Sequence, residues 1–63
     1  MNIRGYRASL NLTQSEIAKK IGISRNSYAL KENKKRLFTL EEAVSLSNLF
    51  GITLEEFFRA SKE

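Results

Sequence analysis

The chain has no cysteine, no histidine and no proline, and only three glycines among 63 residues. Without cysteine no disulfide can staple so short a chain, so its stability must come from helix packing around a small core, aided by any self-association. Without histidine the commonest general base and the commonest metal ligand are both missing, and 63 residues leave little room for an enclosed cleft, which argues against an enzyme. The lack of proline and the scarcity of glycine remove most strand and hairpin punctuation and favour an all-α chain. No apolar run approaches the roughly 18 residues of a membrane span, and no charged-then-apolar leader opens the sequence. A soluble cytoplasmic protein without membrane contact is expected.

What is present is charge, unevenly spread around a formal net value of +4. From Met1 to Arg36, nine basic residues stand against Glu16 and Glu32. From Leu37 onward, Arg59 and Lys62 stand against Glu41, Glu42, Glu55, Glu56 and Glu63. A basic half joined to an acidic half fits a nucleic-acid face with a separate supporting face, and equally fits ordinary solvated charge. The pairs Glu41/Glu42 and Glu55/Glu56 are adjacent in sequence, so on helices they diverge by about 100° and do not converge on one catalytic or metal site.

Periodicity and caps predict five helices in one domain over residues 1–63. The first runs from about Asn2 to Leu10, with Ile3, Tyr6 and Leu10 on one face and Asn11 as a left-handed terminator. The second starts at Thr13, which forms a capping box with Glu16; it buries Ile17, Ala18 and Ile21 and stops at Gly22. Ile23 drops into the core, and Ser24 caps a third helix reaching about Asn33. Thr39 with Glu42 opens a fourth, with Leu40, Ala43, Leu46, Ser47 and Phe50 inward and Gly51 at its end. Thr53 with Glu56 opens a short fifth carrying Leu54, Phe57 and Phe58. The helix at Ser24 is the odd one among these capped starts: Arg25 and Asn26 occupy its first turn, and no acid appears before Glu32. A carboxylate-free N-terminus can approach phosphate, which its amides and dipole favour.

Between Thr13 and Glu32, two short helices hinged at Gly22 have the spacing of a helix-turn-helix. With Arg7, Leu12, Gln14, Glu16, Ile17, Ala18, Ile21, Ile23, Ser24, Arg25, Ser27, Asn33, Arg36, Leu40, Gly51 and Leu54, the segment from about Ile3 to Phe58 resembles the phage repressor type of helix-turn-helix protein, the Cro/C1 or XRE-like family. The resemblance implies a compact five-helix, lambda-repressor-like DNA-binding domain, with the helix from Ser24 to Glu32 in the major groove of double-stranded DNA and the helix from Thr13 above the backbone. Arg25 and Asn26 fall where the family reads bases, and their chemistry suits guanine O6/N7 and adenine N6/N7. Thr13, Gln14, Ser24 and Ser27, with the loop of Asn33, Lys34, Lys35 and Arg36, fall at phosphate-contacting positions, although Gln14 can alternatively cap its own helix. Arg7 and Glu32 fall where relatives place a structural ion pair.

Some positions depart from the family pattern. Leu30 replaces a polar base reader, so it either touches a thymine methyl or reads nothing. Lys31 replaces an apolar core residue, so the end of the third helix is expected to be rotated or loosely packed. Lys34 replaces a glycine, which weighs against a left-handed backbone there. Tyr28 is expected in the core with its hydroxyl at the rim.

The reading that follows is a sequence-specific DNA-binding transcriptional regulator, a repressor, bacterial or phage-encoded, acting as a homodimer on a near-palindromic operator. Leu49, Leu54, Phe57 and Phe58 are candidates for the dimer contact, and can equally complete the monomer core. The alternative is a protein-interaction module, such as an antitoxin or repressor antagonist, in which DNA binding is secondary and the acidic last two helices meet the partner protein. No metal, cofactor or small-molecule ligand is expected.

Overall fold

Local capping decides where each helix begins. In the computed structural model, which describes Met1–Glu63, α1 spans Ile3–Ser9, α2 Gln14–Ile21, α3 Arg25–Glu32, α4 Leu40–Phe50 and α5 Leu54–Ser61. Thr13, Thr39 and Thr53 each accept the amide three residues on and have their own amide capped by Glu16, Glu42 and Glu56, so all three expected capping boxes close. Asn2 and Ser24 cap α1 and α3 through the side chain alone, and neither helix has an acid in its first turn. Gly22 and Gly51 end α2 and α4 at φ +76° and +71°, the left-handed region where an absent Cβ removes the steric cost.

The five helices close around Ile3, Ile17, Ala18, Tyr28, Ala43, Leu46, Phe57 and Ala60, all buried. Helix α2 packs on α3 across the Gly22 turn, α4 packs on α5, the two pairs meet through α2 with α4, and α1 packs on α5. An aromatic run joins α3 to α5: Tyr28 lies 6.0 Å from Phe38, which meets Phe57 edge-on at 5.4 Å, and Phe57 meets Phe58 at 6.2 Å. No helix is long and apolar enough to cross a membrane.

Four expectations need correction. Leu10 and Leu40, assigned to inner faces, are exposed: Leu10 lies just past the end of α1 and Leu40 is the first residue of α4, so each sits at a helix end away from the core-facing turns. Ile23 is only partly buried, packed against the core from its edge. Phe57, a candidate for contact with a second copy, is 1% exposed and belongs to the monomer core. Lys34 does adopt the left-handed conformation at φ +65°, despite its side chain. It does so because the chain must turn at the end of α3 while the amides of Lys35 and Arg36 fold back onto the Leu30 carbonyl at 2.8 and 3.3 Å.

A left-handed lysine costs about 1–2 kcal/mol, of which glycine's greater unfolded-state entropy takes back a part. Lys34→Gly should therefore raise stability by about 0.5–1 kcal/mol, read as a higher urea midpoint at unchanged slope. A lower midpoint would contradict the left-handed turn.

Candidate nucleic-acid interface

The exposed face of α3 is set by what holds its inner face. Glu32, in the last turn of α3, is buried and collects donors from three helices. Arg7 of α1 approaches it with Nε at 2.7 Å from Oε2 and a terminal nitrogen at 3.2 Å from Oε1. Gln14 of α2 donates Nε2 at 3.0 Å, and the Tyr28 hydroxyl donates at 2.8 Å. Arg7 also donates to the Leu12 carbonyl at 2.7 Å, tying in the loop before α2. The Tyr28 hydroxyl is thus buried on a carboxylate and not at the rim, and the ring is fully covered.

Burial by itself would push the Glu32 carboxyl up, but the hydrogen bonds from Arg7, Tyr28 and Gln14 outweigh it and hold the group below the ordinary carboxylate range. The same hydrogen bond to Glu32 raises Arg7. Burial, reinforced by the neighbouring carboxylate, pushes the Tyr28 phenol up, so it remains a donor.

Gln14 therefore does not cap its own helix; Thr13 does. An amide nitrogen carries two protons, and with one held by Glu32 the other stays available at the N-terminus of α2. Ser24 accepts the Ser27 amide at 3.1 Å, which leaves its hydroxyl proton for an outside acceptor. Thr13 is in the same position, with its hydroxyl oxygen taken by the Glu16 amide. Arg25 and Asn26 are exposed in the first turn of α3, and Ser27 is half-buried behind them.

The Lys34, Lys35 and Arg36 side chains are exposed in the loop after α3. Asn33 caps the end of α3 and accepts a hydrogen bond from Arg4 at 2.9 Å. Leu30 is half-buried, and its evident role is through the backbone, as the carbonyl that anchors the loop. Lys31 corrects the expectation of a loose helix end: its ammonium sits 2.7 Å from both oxygens of Glu42, fastening the last turn of α3 to α4. With Arg7 and Lys31 neutralised internally, the cations of the basic half left exposed are Arg4, Lys19, Lys20, Arg25, Lys34, Lys35 and Arg36.

Three features escaped the sequence. The Gln14 to Glu32 and Lys31 to Glu42 contacts join residues 18 and 11 positions apart on different helices, with no local pattern to announce them. Arg4, exposed on α1, reaches Asn33 and lies 3.6 Å from Glu32, and its one signal was its place in the basic half. Beyond the loop, Leu37, Phe38, Phe57 and Phe58 line a groove of about 320 Å³ whose charged neighbours, Lys31, Lys34, Arg36 and Lys62, are all cationic. Leu37 is 92% exposed there and Phe58 46%. Leu49 and Leu54, by contrast, pack partly buried against the core.

The family model described as helix-turn-helix matches residues 3–57. The chain is 38% identical over 56 residues to an uncharacterised HTH-type transcriptional regulator of Methanocaldococcus jannaschii, a match covering 89% of this chain and 85% of that one. An uncharacterised HTH-type transcriptional regulator of Archaeoglobus fulgidus is 31% identical over 61 residues, covering 97% of this chain and 86% of its own. A second from the same organism is 34% identical over 56 residues, covering 89% and 80%. No solved structure matches the chain.

The lowered Glu32 gives a pH dependence of definite sign. Its stabilisation is complete above the ordinary glutamate value of about 4.3 and is lost as pH falls from there through the lower folded value. Tyr28→Phe removes one donor to the carboxylate and should cost about 1.5–3 kcal/mol at pH 7. It should also reduce the stability difference between pH 7 and pH 3, measured by urea denaturation at each pH. An undiminished acid loss would mean that Tyr28 contributes nothing to holding Glu32 charged.

Proposed function

The chain belongs to the helix-turn-helix family, and from that premise we propose that it is a transcriptional regulator that binds double-stranded DNA sequence-specifically, as a repressor occupying its operator, with α3 in the major groove. The observation that carries this reading is the start of α3. Arg25 and Asn26 stand exposed on an acid-free N-terminus, while Glu32 at the other end of the helix is consumed inside the fold.

In this reading Arg25 and Asn26 contact base edges, guanine and adenine being the bases whose acceptor and donor patterns they match. Leu30 is set back from them and contributes at most apolar contact with a thymine methyl. Gln14, Thr13, Ser24 and Ser27 grip phosphates on one side of the groove. Asn33, Lys34, Lys35 and Arg36 grip the flanking backbone, and such contacts fix position without reading sequence.

One recognition helix reads only a few base pairs, so specificity on a genome requires two. The proposed homodimer is supported by the Leu37 and Phe58 surface: a leucine left almost wholly in water beside a half-exposed phenylalanine is apolar area with no occupant in the monomer. The exposed Leu40 and Val44 of α4, next to Glu41, supply a complementary apolar and acidic strip on the same chain. This shifts the proposed contact from Leu49, Leu54 and Phe57 towards Phe58 and Leu37.

Arg25→Ala should cost roughly 1–3 kcal/mol of affinity on a cognate duplex and little on a scrambled one, measured by fluorescence anisotropy. Equal losses on both would reduce Arg25 to a phosphate contact. Phe58→Ser, which adds no charge beside Lys34 and Arg36, should convert a dimer to a monomer in sedimentation and weaken binding to a two-half-site duplex about tenfold or more, with single half-site affinity unchanged. An unchanged sedimentation profile would remove Phe58 from the interface.

A further inference from the structure

Among the three capping glutamates, Glu42 stands apart. Glu16 and Glu56 are exposed and serve only their own helix starts, whereas Glu42 also meets Lys31 of α3 with both oxygens at 2.7 Å. The two side chains are 12% and 11% exposed, so the pair is largely withdrawn from water. One Glu42 oxygen additionally accepts the Thr39 amide at 2.9 Å. The carboxylate therefore fixes the residue at which the α3–α4 loop ends. Desolvation works against its charge, but the Lys31 ammonium and the Thr39 amide together hold it below the usual carboxylate range.

At its other end the loop is held by the Leu30 carbonyl, which takes the amides of Lys35 and Arg36 from the residue directly before Lys31. The loop's exposed cations thus lie between two anchors that share a single turn of α3. We infer that Lys31 is a positioning residue: its pairing with Glu42 closes the base of the loop and presents Lys34, Lys35 and Arg36 as one preorganised cationic clamp for a phosphate backbone. Without the clasp, the loop orders only on binding, and each long side chain loses its freedom at that moment. The inference rests on the proposed DNA reading for its function, and on the geometry alone for the order of the loop.

The test uses Glu42→Gln, whose amide oxygen can still accept the Thr39 amide while the ion pair is lost. This substitution makes the protein more positive by one charge, so simple electrostatics predicts tighter binding to a random-sequence duplex. The clasp predicts the opposite sign, about fivefold weaker binding, equivalent to ordering one long side chain anew. Circular dichroism melting establishes that the variant is folded. Lys31→Met, which keeps a helix-compatible unbranched chain, provides a second variant should Glu42→Gln unfold.

Amide exchange supplies a readout independent of DNA. In either variant the Lys35 and Arg36 amides should exchange at least about fivefold faster while the Ile17 and Phe57 amides keep their protection. Tighter or unchanged duplex binding by folded Glu42→Gln, or unchanged Lys35 and Arg36 exchange, overturns the inference. Failure of the wild-type protein to bind any duplex, with the exchange result as expected, overturns the DNA reading and leaves the clasp as a structural device only.

Discussion

One buried carboxylate holds the molecule's functional geometry. Glu32 is the meeting point of Arg7 from α1, Gln14 from α2 and Tyr28 from its own helix, and every buried polar side-chain atom finds a partner. Burying a carboxylate is costly unless its lone pairs are filled, and here they are filled from fixed directions. The value of such a site lies less in net stability than in the geometry it enforces. Removing its charge partner Arg7 leaves the buried carboxylate uncompensated, at a cost of about 3–5 kcal/mol. In a chain of 63 residues, with eight hydrophobic residues in the buried core, this network fixes the angle at which α3 leaves α2.

From that constraint follows the distribution of charge. Acids are spent on helix starts at Thr13, Thr39 and Thr53, or inside the fold at Glu32 and Glu42. The start of α3 has none, and its dipole and free amides face outward beside Arg25. Two cations of the basic half, Arg7 and Lys31, are structural, so the net charge of that half overstates what is offered to a partner. The remaining seven sit on α1, the end of α2, the first turn of α3 and the loop after α3. That arrangement brackets the recognition helix with cations and leaves the acidic α4 and α5 to carry the rest of the fold.

Legibility in the sequence tracks the range of each interaction. Capping boxes act over three residues, and glycine terminators act at one, so the helix starts at Thr13, Ser24, Thr39 and Thr53 and the stops at Gly22 and Gly51 could be read directly. Asn11, at φ +57°, was readable for the same reason. The Arg7 and Glu32 positions carried a family pattern. Contacts between helices carried none: nothing near Lys31 announces Glu42, and an apolar residue in relatives pointed to loose packing where the lysine instead found a carboxylate. Adjacent aromatics on a short helix present a similar ambiguity. Phe57 and Phe58 lie about 100° apart around α5, so one must face outward, and only the packed structure assigns Phe57 to the core.

The central claim is that this geometry presents α3 to the major groove of DNA. The measurement that addresses it most directly is selection of bound sequences from a pool of random duplexes, with the salt dependence of the enriched duplex determined afterwards. The account predicts a two-fold symmetric site, with half-sites about one helical turn apart and affinity falling steeply with salt. Absence of any enriched sequence, with no duplex bound even at low salt, would contradict it.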